Sequence, residues 1–525
     1  MEVWAELPKQ RCYTAARLTF PRAVSRRMSV SFPESSPASA QSSVLPRWAA
    51  AADAIVLALL VVAAIVAEWG GFRTWIGGYR VALTSPVRIL LAAVVVAVVR
   101  HVLVRTPAIH IDLPRRVRAG LTSTSARAAL AGVFGTRPAI LFVGYFALAA
   151  FGYVHEQPPV RFSEDELINL QGRWDASWYM DVATQGYRYH AGDPAAQQNI
   201  VFFPAFPIAL RMVGRLFGGS VAAHLYGGTA LNIALFFFAL VYVYRLAREL
   251  LGREDEAAVA VLLVATYPFA LYYSAIYTES LYLLGAVAVF YHARRGEFVK
   301  TALWGLLVGL TRPNGCFLSI PLVLVTTAPW LPRWLHAPIR RSRRDTDGAR
   351  ELVDRPPVSR FVAAVAAAAA PGIGVLLYCA FIWRLTGDPL AWAEGHSAWG
   401  RAYVGLWPLV KTWYGFFHES GAYVVTRVLP YDTLNALGAL FVLAWALPVW
   451  RRLGLPYLIV ILVNMLPPLA AGGFLSAGRL SAVMFPVFVC LASAVPARHR
   501  SAWAASFMAV QALNAAFFYT WRELF

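Results

Sequence analysis

Apolar runs of about 17–20 residues recur along most of the chain, parted by short polar segments in which arginine predominates. Ala49–Glu68, Arg88–Val104, Val221–Tyr244 and Phe361–Trp383 are examples. Each is long enough to cross a hydrocarbon core about 30 Å thick. In lipid such segments must be helices, because no other local structure satisfies every backbone hydrogen bond within one segment. The pattern predicts an all-α, polytopic integral membrane protein with about eleven to thirteen transmembrane helices.

The polar segments set a threading. Arg22, Arg26, Arg27 and Arg47 precede the first span and hold the N-terminus in the cytoplasm. Spans are expected at 49–68, 86–104 and 138–154, with Arg105, Arg115, Arg116, Arg118, Arg127 and Arg137 in the inner loop between the last two. An acidic outer segment follows, about 155–200. The run Val201–Phe217 carries two prolines and two arginines. Were it a full span, the charged loop Arg245–Glu256 would fall outside, against the positive-inside rule, so a re-entrant or interfacial helix is expected.

Spans at about 221–244, 256–274 and 280–293 come next, the last two joined by the outer turn Tyr277-Thr278-Glu279-Ser280. A further hairpin turns outside at Thr311-Arg312-Pro313-Asn314-Gly315, and the basic loop 333–360 lies inside. A span at 361–383 leads to a second outer segment, about 386–433. Spans at about 434–450, 455–471, 480–495 and 502–520 close the chain, with Arg451, Arg452, Arg498 and Arg500 inside and Gly472–Arg479 as an outer turn. Residues 1–45 have no apolar run and read as a disordered cytoplasmic tail rather than a signal peptide. Residues 46–525 form one multispan domain in the cell membrane.

Composition supports this picture. The chain is 59% hydrophobic and 14% charged, against about 45–50% and about 25% in soluble domains. Its net charge of +19 is accounted for by arginines retained in inner loops. No soluble basic domain exists to bind nucleic acid. Three lysines against forty-four arginines favour a bacterial source. Cys12, Cys316, Cys379 and Cys490 are scattered without paired spacing, so neither a disulfide framework nor a zinc site is expected.

Chemistry concentrates on the outer side. The stretch Gly172-Arg173-Trp174-Asp175-Ala176-Ser177-Trp178-Tyr179-Met180-Asp181 puts carboxylates just beyond the membrane among aromatic residues. Arg312 and Arg479 occupy outer turns, where arginine is disfavoured and needs a reason: phosphate binding or lipid-headgroup anchoring. Glu279 stands at a hairpin apex near hydrocarbon, where an ionisable group is costly. It either serves function or pairs with Arg312. Asn314 suits the turn itself. His396 lies in the second outer segment with Trp392, Trp399, Trp407 and Trp413, which suggest a helix lying in the interface.

Several of these residues form a series. Trp174-Asp175, Trp178-Tyr179, Gly186-Tyr187, Phe202-Phe203-Pro204 and Pro207 are followed by Ser274-Ala275-Ile276-Tyr277-Thr278-Glu279-Ser280-Leu281 and Thr311-Arg312-Pro313-Asn314-Gly315. Weaker traces appear in Gly387-Asp388-Pro389-Leu390 and from Arg479 to Phe485-Pro486. In this order the series resembles the PIG-V family, whose members include the second mannosyltransferases of GPI-anchor assembly. The resemblance implies a GT-C type glycosyltransferase that takes a hexose, mannose above all, from a polyprenyl-phosphate sugar. It matches Asp175 to the aspartate in the first large outer loop.

The chemistry agrees. Transfer to an alcohol needs a base for the acceptor hydroxyl, and one carboxylate suffices for an inverting displacement because phosphate leaves without protonation. Asp175 is the first candidate base and Asp181 the second. Arg173, Trp174, Trp178, Tyr179, Glu279, Arg312, Asn314, His396 and Arg479 are candidate substrate-binding residues. No metal or other cofactor is expected. The partners are membrane lipid, the lipid-linked donor, and a glycolipid, lipoglycan or protein acceptor. Pro313 and Leu480 depart from the family's usual residues, which bears on the phosphate site. The competing reading is a lipid or solute transporter or flippase. That class places charged sites at mid-depth on broken helices.

Overall fold

In the computed structural model the described residues are 46–69, 72–76, 79–104, 118–154, 160–191, 196–338, 357–416, 418, 430–522 and 524. The N-terminal tail, most of the basic loop 333–360 and part of the segment 386–433 lie outside them. Two compact units are present, Met1–Pro114 and Arg115–Phe525. Regular structure among the described residues is helical apart from one antiparallel hairpin.

The first unit contains α1 (Arg47–Trp69), β1 (Phe72–Ile76), β2 (Tyr79–Leu83) and α2 (Pro86–Leu103). The hairpin, which the apolar pattern did not predict, pairs Phe72 with Leu83 and Ile76 with Tyr79. Ser85 caps α2 and Pro86 opens it, a position where the missing N–H costs nothing. Asp53 of α1 and Arg100 of α2 form a two-pronged ion pair at 2.7 and 3.0 Å. Pairing of this kind is what allows charge inside apolar helices.

The second unit begins with α3 (Thr124–Phe151), capped by the Ser123 hydroxyl. The expected third span thus starts earlier than 138. Arg127 and Arg137 belong to the helix rather than to an inner loop. Arg137 is buried yet supplied with acceptors: the carbonyls of Ala265 (2.9 Å) and Ala270, and side-chain oxygens of Thr136, Ser274 and Gln511. Those carbonyls become available because helix α7 (Glu254–Thr266) stops there, ahead of Pro268. The arginine therefore completes the end of a broken helix.

Between α3 and α7 lie α4 (Ala176–Gln185), α5 (Ala205–Leu216) and α6 (Val221–Leu251). The twelve residues of α5 extend about 18 Å, too short to cross a bilayer. This fits the interfacial expectation. Next come α8 (Glu279–Arg294), α9 (Phe298–Thr311), α10 (Ser319–Thr326), α11 (Val358–Thr386) and α12 (Trp407–Phe416). The chain finishes with α13 (Pro430–Ala444), α14 (Ala446–Leu453), α15 (Leu455–Gly472), α16 (Ala477–Ala482), α17 (Phe485–Ala494) and α18 (Arg500–Tyr519).

Six helices among the described residues are long and apolar enough to span: Pro86–Leu103, Thr124–Phe151, Val221–Leu251, Val358–Thr386, Thr433–Leu453 and Leu455–Gly472. Other expected spans are short or interrupted. The fourteen residues of α9 cover only about 21 Å. The run 480–495 is split between α16 and α17 at Val483–Met484.

Close packing holds the unit together. A Cβ on Gly309 of α9 would sit 2.0 Å from the Pro371 carbonyl oxygen of α11, and one on Gly374 would sit 2.5 Å from the Leu306 carbonyl oxygen. Small residues let the two backbones touch, the usual device where helices meet in lipid. At one end of the unit, Arg294 pairs with Glu249 at 3.1 Å, Arg500 with Asp255 at 3.2 Å, and Arg452 donates to Ser493 at 2.9 Å. The basic connections 245–256, 294–300, 451–454 and 496–500 thus gather there. Glu279 and Thr311 sit at the opposite ends of α8 and α9.

Candidate active site

The centre of the candidate site is a chain of four charges. Arg479 of α16 donates from Nη1 to Asp175 Oδ2 at 2.7 Å, and its Nε lies 3.2 Å from Glu279 Oε1. Glu279 also pairs with Arg312, whose Nε donates to the Thr278 hydroxyl at 2.6 Å. The row runs Asp175–Arg479–Glu279–Arg312. Glu279 is wholly buried, whereas the Asp175 side chain keeps 21% of its surface exposed. A buried carboxylate flanked by two guanidiniums is a holding element. The accessible carboxylate at the end of the row is the one that can meet a substrate.

Local backbone geometry delivers these groups. Trp174 adopts a left-handed conformation (φ +54°), as does Ser476 (φ +60°). Such positions cost non-glycine residues about 1–3 kcal/mol and persist only where surroundings enforce them. Trp174 is pinned by its indole N–H, which donates to the Phe518 carbonyl at 3.1 Å, and by its ring lying 4.9 Å from Trp521. The Asp175 backbone N–H donates to the Tyr277 hydroxyl at 3.1 Å, and the Tyr277 ring lies 5.3 Å beneath the Arg479 guanidinium. One strained residue precedes each partner of the Asp175–Arg479 pair.

A cavity of about 930 Å³ opens on this row, lined in part by Asp175, Arg312, Arg401 and Arg479. Its volume is within the range of small-molecule sites. Trp178, Phe202 and Trp399 make an aromatic wall: Trp178 stacks on Phe202 at 5.8 Å and meets Trp399 edge-on at 5.5 Å. His396 also lines the cavity, its Nδ1 donating to the Trp392 carbonyl at 2.8 Å. Burial keeps its imidazole below the ordinary histidine range, hence neutral at pH 7. Tyr179 packs beside Tyr277, and burial pushes its phenol up to about 12. Asn314 donates to Asn464 Oδ1 at 2.9 Å, an oxygen that Tyr282 also approaches at 2.6 Å.

Three candidates are not part of the cavity lining: Glu279, buried against Arg312 and Arg479, and the pair Arg173 and Asp181. Arg173 is buried and spends its guanidinium on the carbonyls of Tyr519 (2.9 Å) and Asn169 and on the Tyr153 hydroxyl. It braces the loop instead of reaching into the cavity. Asp181, one and a half turns beyond Asp175, accepts from Asn199 at 2.7 Å and pairs with Arg188. It ties α4 to the segment before α5. Conversely, Arg401 and Asn464 escaped the sequence reading, and Tyr277 entered it only as part of an outer turn and of the motif series. Arg401 sits in a stretch without periodicity. Tyr277 and Asn464 acquire their roles only through long-range contacts.

Residues 159–328 match the family described as Mannosyltransferase (PIG-V). This segment is similar to that family. It contributes Asp175, Glu279 and Arg312, whereas Arg401 and Arg479 reach these residues from later in the chain. The chain is 28% identical over 155 residues to GPI alpha-1,6-mannosyltransferase 2 of Cricetulus griseus, covering 28% of this chain and 30% of that protein. It is 24% identical over 173 residues to GPI mannosyltransferase 2 of Drosophila pseudoobscura pseudoobscura, covering 30% and 37% respectively. The chain thus spans about a third of the length of these PIG-V relatives. Among solved structures, the Archaeoglobus fulgidus oligosaccharyltransferase complex with Zn and sulfate aligns over 73% of this chain and 52% of its own. Identity there is 14% and the TM-score 0.32.

Proposed function

We propose that the protein is a membrane mannosyltransferase that moves mannose from a polyprenyl-phosphate donor to an acceptor hydroxyl. Asp175 accepts the hydroxyl proton as the acceptor oxygen attacks C1 of the sugar. The bond from C1 to the phosphate oxygen breaks on the far side, and its electron pair leaves with the phosphate. The donor's singly charged phosphodiester becomes a doubly charged monoester, so charge accumulates on the leaving group. Arginine supplies the compensating positive charge, by geometry matched to phosphate. The observation that carries this reading is the open Asp175 carboxylate held by Arg479 in a cavity lined by three arginines, with Asp175 itself in the segment that matches the PIG-V family.

We place the cavity on the extracytoplasmic face of the cell membrane. Support comes from the basic connections gathered at the other end of α8 and α9, since such loops remain cytoplasmic. The transporter reading has less support: the charged row sits at the ends of helices, not at mid-depth along them.

The test uses the full chain in lipid nanodiscs with radiolabelled polyprenyl-phosphate mannose and a membrane glycolipid extract. Asp175→Asn should lower the transfer rate by about 10²–10⁴-fold while donor binding and melting temperature stay near wild type. Mass spectrometry of membrane glycolipids with and without the gene identifies the product. Unchanged transfer by Asp175→Asn sinks the mechanism.

A further inference from the structure

One cavity arginine is assigned by neither the motif series nor the family segment. Arg401 lies on the non-helical stretch 401–405, between the short turns after α11 and α12, and is partly buried against the cavity. Arg312 and Arg479 are each committed to a carboxylate. Among the described residues Arg401 has no carboxylate at ion-pair distance. Its side-chain hydrogen bond there runs from Nη2 to the Leu475 carbonyl at 3.4 Å, one residue before the left-handed Ser476. Gly472 leaves room for it, since a Cβ at that position would lie 3.3 Å from Nη1.

The charge balance gives this placement its meaning. Arg312, Arg401 and Arg479 surround a cavity whose nearby acids are Asp175 and Glu279. One positive charge is in excess, and Arg401 brings it. Burial lowers the Arg401 pKa to about 10, with repulsion from Arg479 adding to the effect and Asp175 opposing it. The group is therefore cationic at neutral pH, and it is held at a desolvation cost that an anion would offset. A planar guanidinium offers phosphate two parallel hydrogen bonds, and among the described residues no carboxylate engages that of Arg401.

We propose that Arg401 captures the phosphate of the lipid-linked donor, so that Arg479 stays on Asp175 and Arg312 on Glu279. The inference rests on the transferase reading for its ligand. It divides the labour: Arg401 recognises the phosphate, and the other two arginines hold the carboxylates in place. Because the phosphate gains a negative charge during transfer, the same contact strengthens as the leaving group departs.

The experiment measures equilibrium binding of radiolabelled polyprenyl monophosphate, which carries no sugar, to the full chain in nanodiscs of neutral lipid. Arg401→Gln should weaken binding by about tenfold or more, and Arg401→Lys should recover part of it as a point charge. The acceptor KM should not move. Inorganic phosphate should compete in wild type and lose that effect in Arg401→Gln. Arg401→Met, which keeps the packing of the aliphatic stem, takes the place of the glutamine variant should that one not fold. Equal affinity in wild type and the folded variant overturns the proposal, whatever the transfer assay reads. Competition by phosphate-free polyprenol as strong as by the monophosphate overturns it as well. Arg401-dependent binding in a protein that transfers no sugar sustains the phosphate site and removes the transferase reading instead.

Discussion

The two carboxylates of α4 and its cap are chemically alike and only six residues apart, yet their surroundings separate them. Asp175 ends a buried row of charges and opens on the cavity, while Asp181 is satisfied by Asn199 and by a partly exposed Arg188. Asp181→Asn should therefore leave transfer within a few-fold of wild type and cost at most about 1 kcal/mol, the scale of a surface ion pair. A loss of transfer comparable to that of Asp175→Asn, in a stably folded variant, would reverse the two assignments. Glu279 has the opposite character. It is fully buried between Arg312 and Arg479. Glu279→Ala leaves two guanidiniums facing one another and should destabilise by about 3–5 kcal/mol, read as an early loss of monodispersity on heating in detergent. At this scale the sequence singled out Asp175, Glu279, Arg312 and Arg479 because ionisable groups at the ends of apolar helices need an explanation. It had no means of separating Arg173 from them, since the carbonyls that absorb its guanidinium come from Asn169 and from the far end of the chain.

The helices that bring Glu279, Arg312 and Arg479 to the site, α8, α9 and α16, are shorter than the membrane is thick, and the positions of their breaks matter more than their lengths. The break after Thr266 frees carbonyls for Arg137, and the breaks at Arg312 and before Ala477 free the turns that carry arginine into the cavity. Apolar runs alone register the hydrophobic stretch and not its interruption. Gly305 and Gly309 of α9 and Gly374 of α11 then fix these helices against each other through close contacts. Gly309→Leu should drive a side chain into the Pro371 carbonyl, which a Cβ alone would meet at 2.0 Å. The expected outcome is a sharp fall in folded yield by size-exclusion chromatography. Recovery of wild-type yield and melting temperature would mean that the two helices do not meet as described.

Across the whole second unit, charge is segregated. The basic connections gather at one end through Arg294–Glu249 and Arg500–Asp255, and the charged row of the site occupies the other. In a variant with Cys12, Cys316, Cys379 and Cys490 replaced by alanine, Glu164→Cys should react with a membrane-impermeant maleimide in intact cells. Arg295→Cys should react only after permeabilisation. The reverse pattern would put Asp175 in the cytosol, and the proposed donor chemistry on the outer face would be lost.

Length and hydropathy were enough to establish a helical membrane protein, because a lipid-facing backbone has one solution that satisfies its hydrogen bonds. Motif order was enough to point to the resemblance to the PIG-V family that residues 159–328 carry. Pairing of Glu279 with Arg312 was one of the two readings the sequence offered, whereas the contact of Asp175 with Arg479 joins residues 304 apart. No local propensity encodes a pairing at such a separation. Folding alone decided that Arg173 and Asp181 are engaged by neighbouring groups outside the cavity, that Arg401 joins the cavity, and that two strained residues precede the Asp175–Arg479 pair.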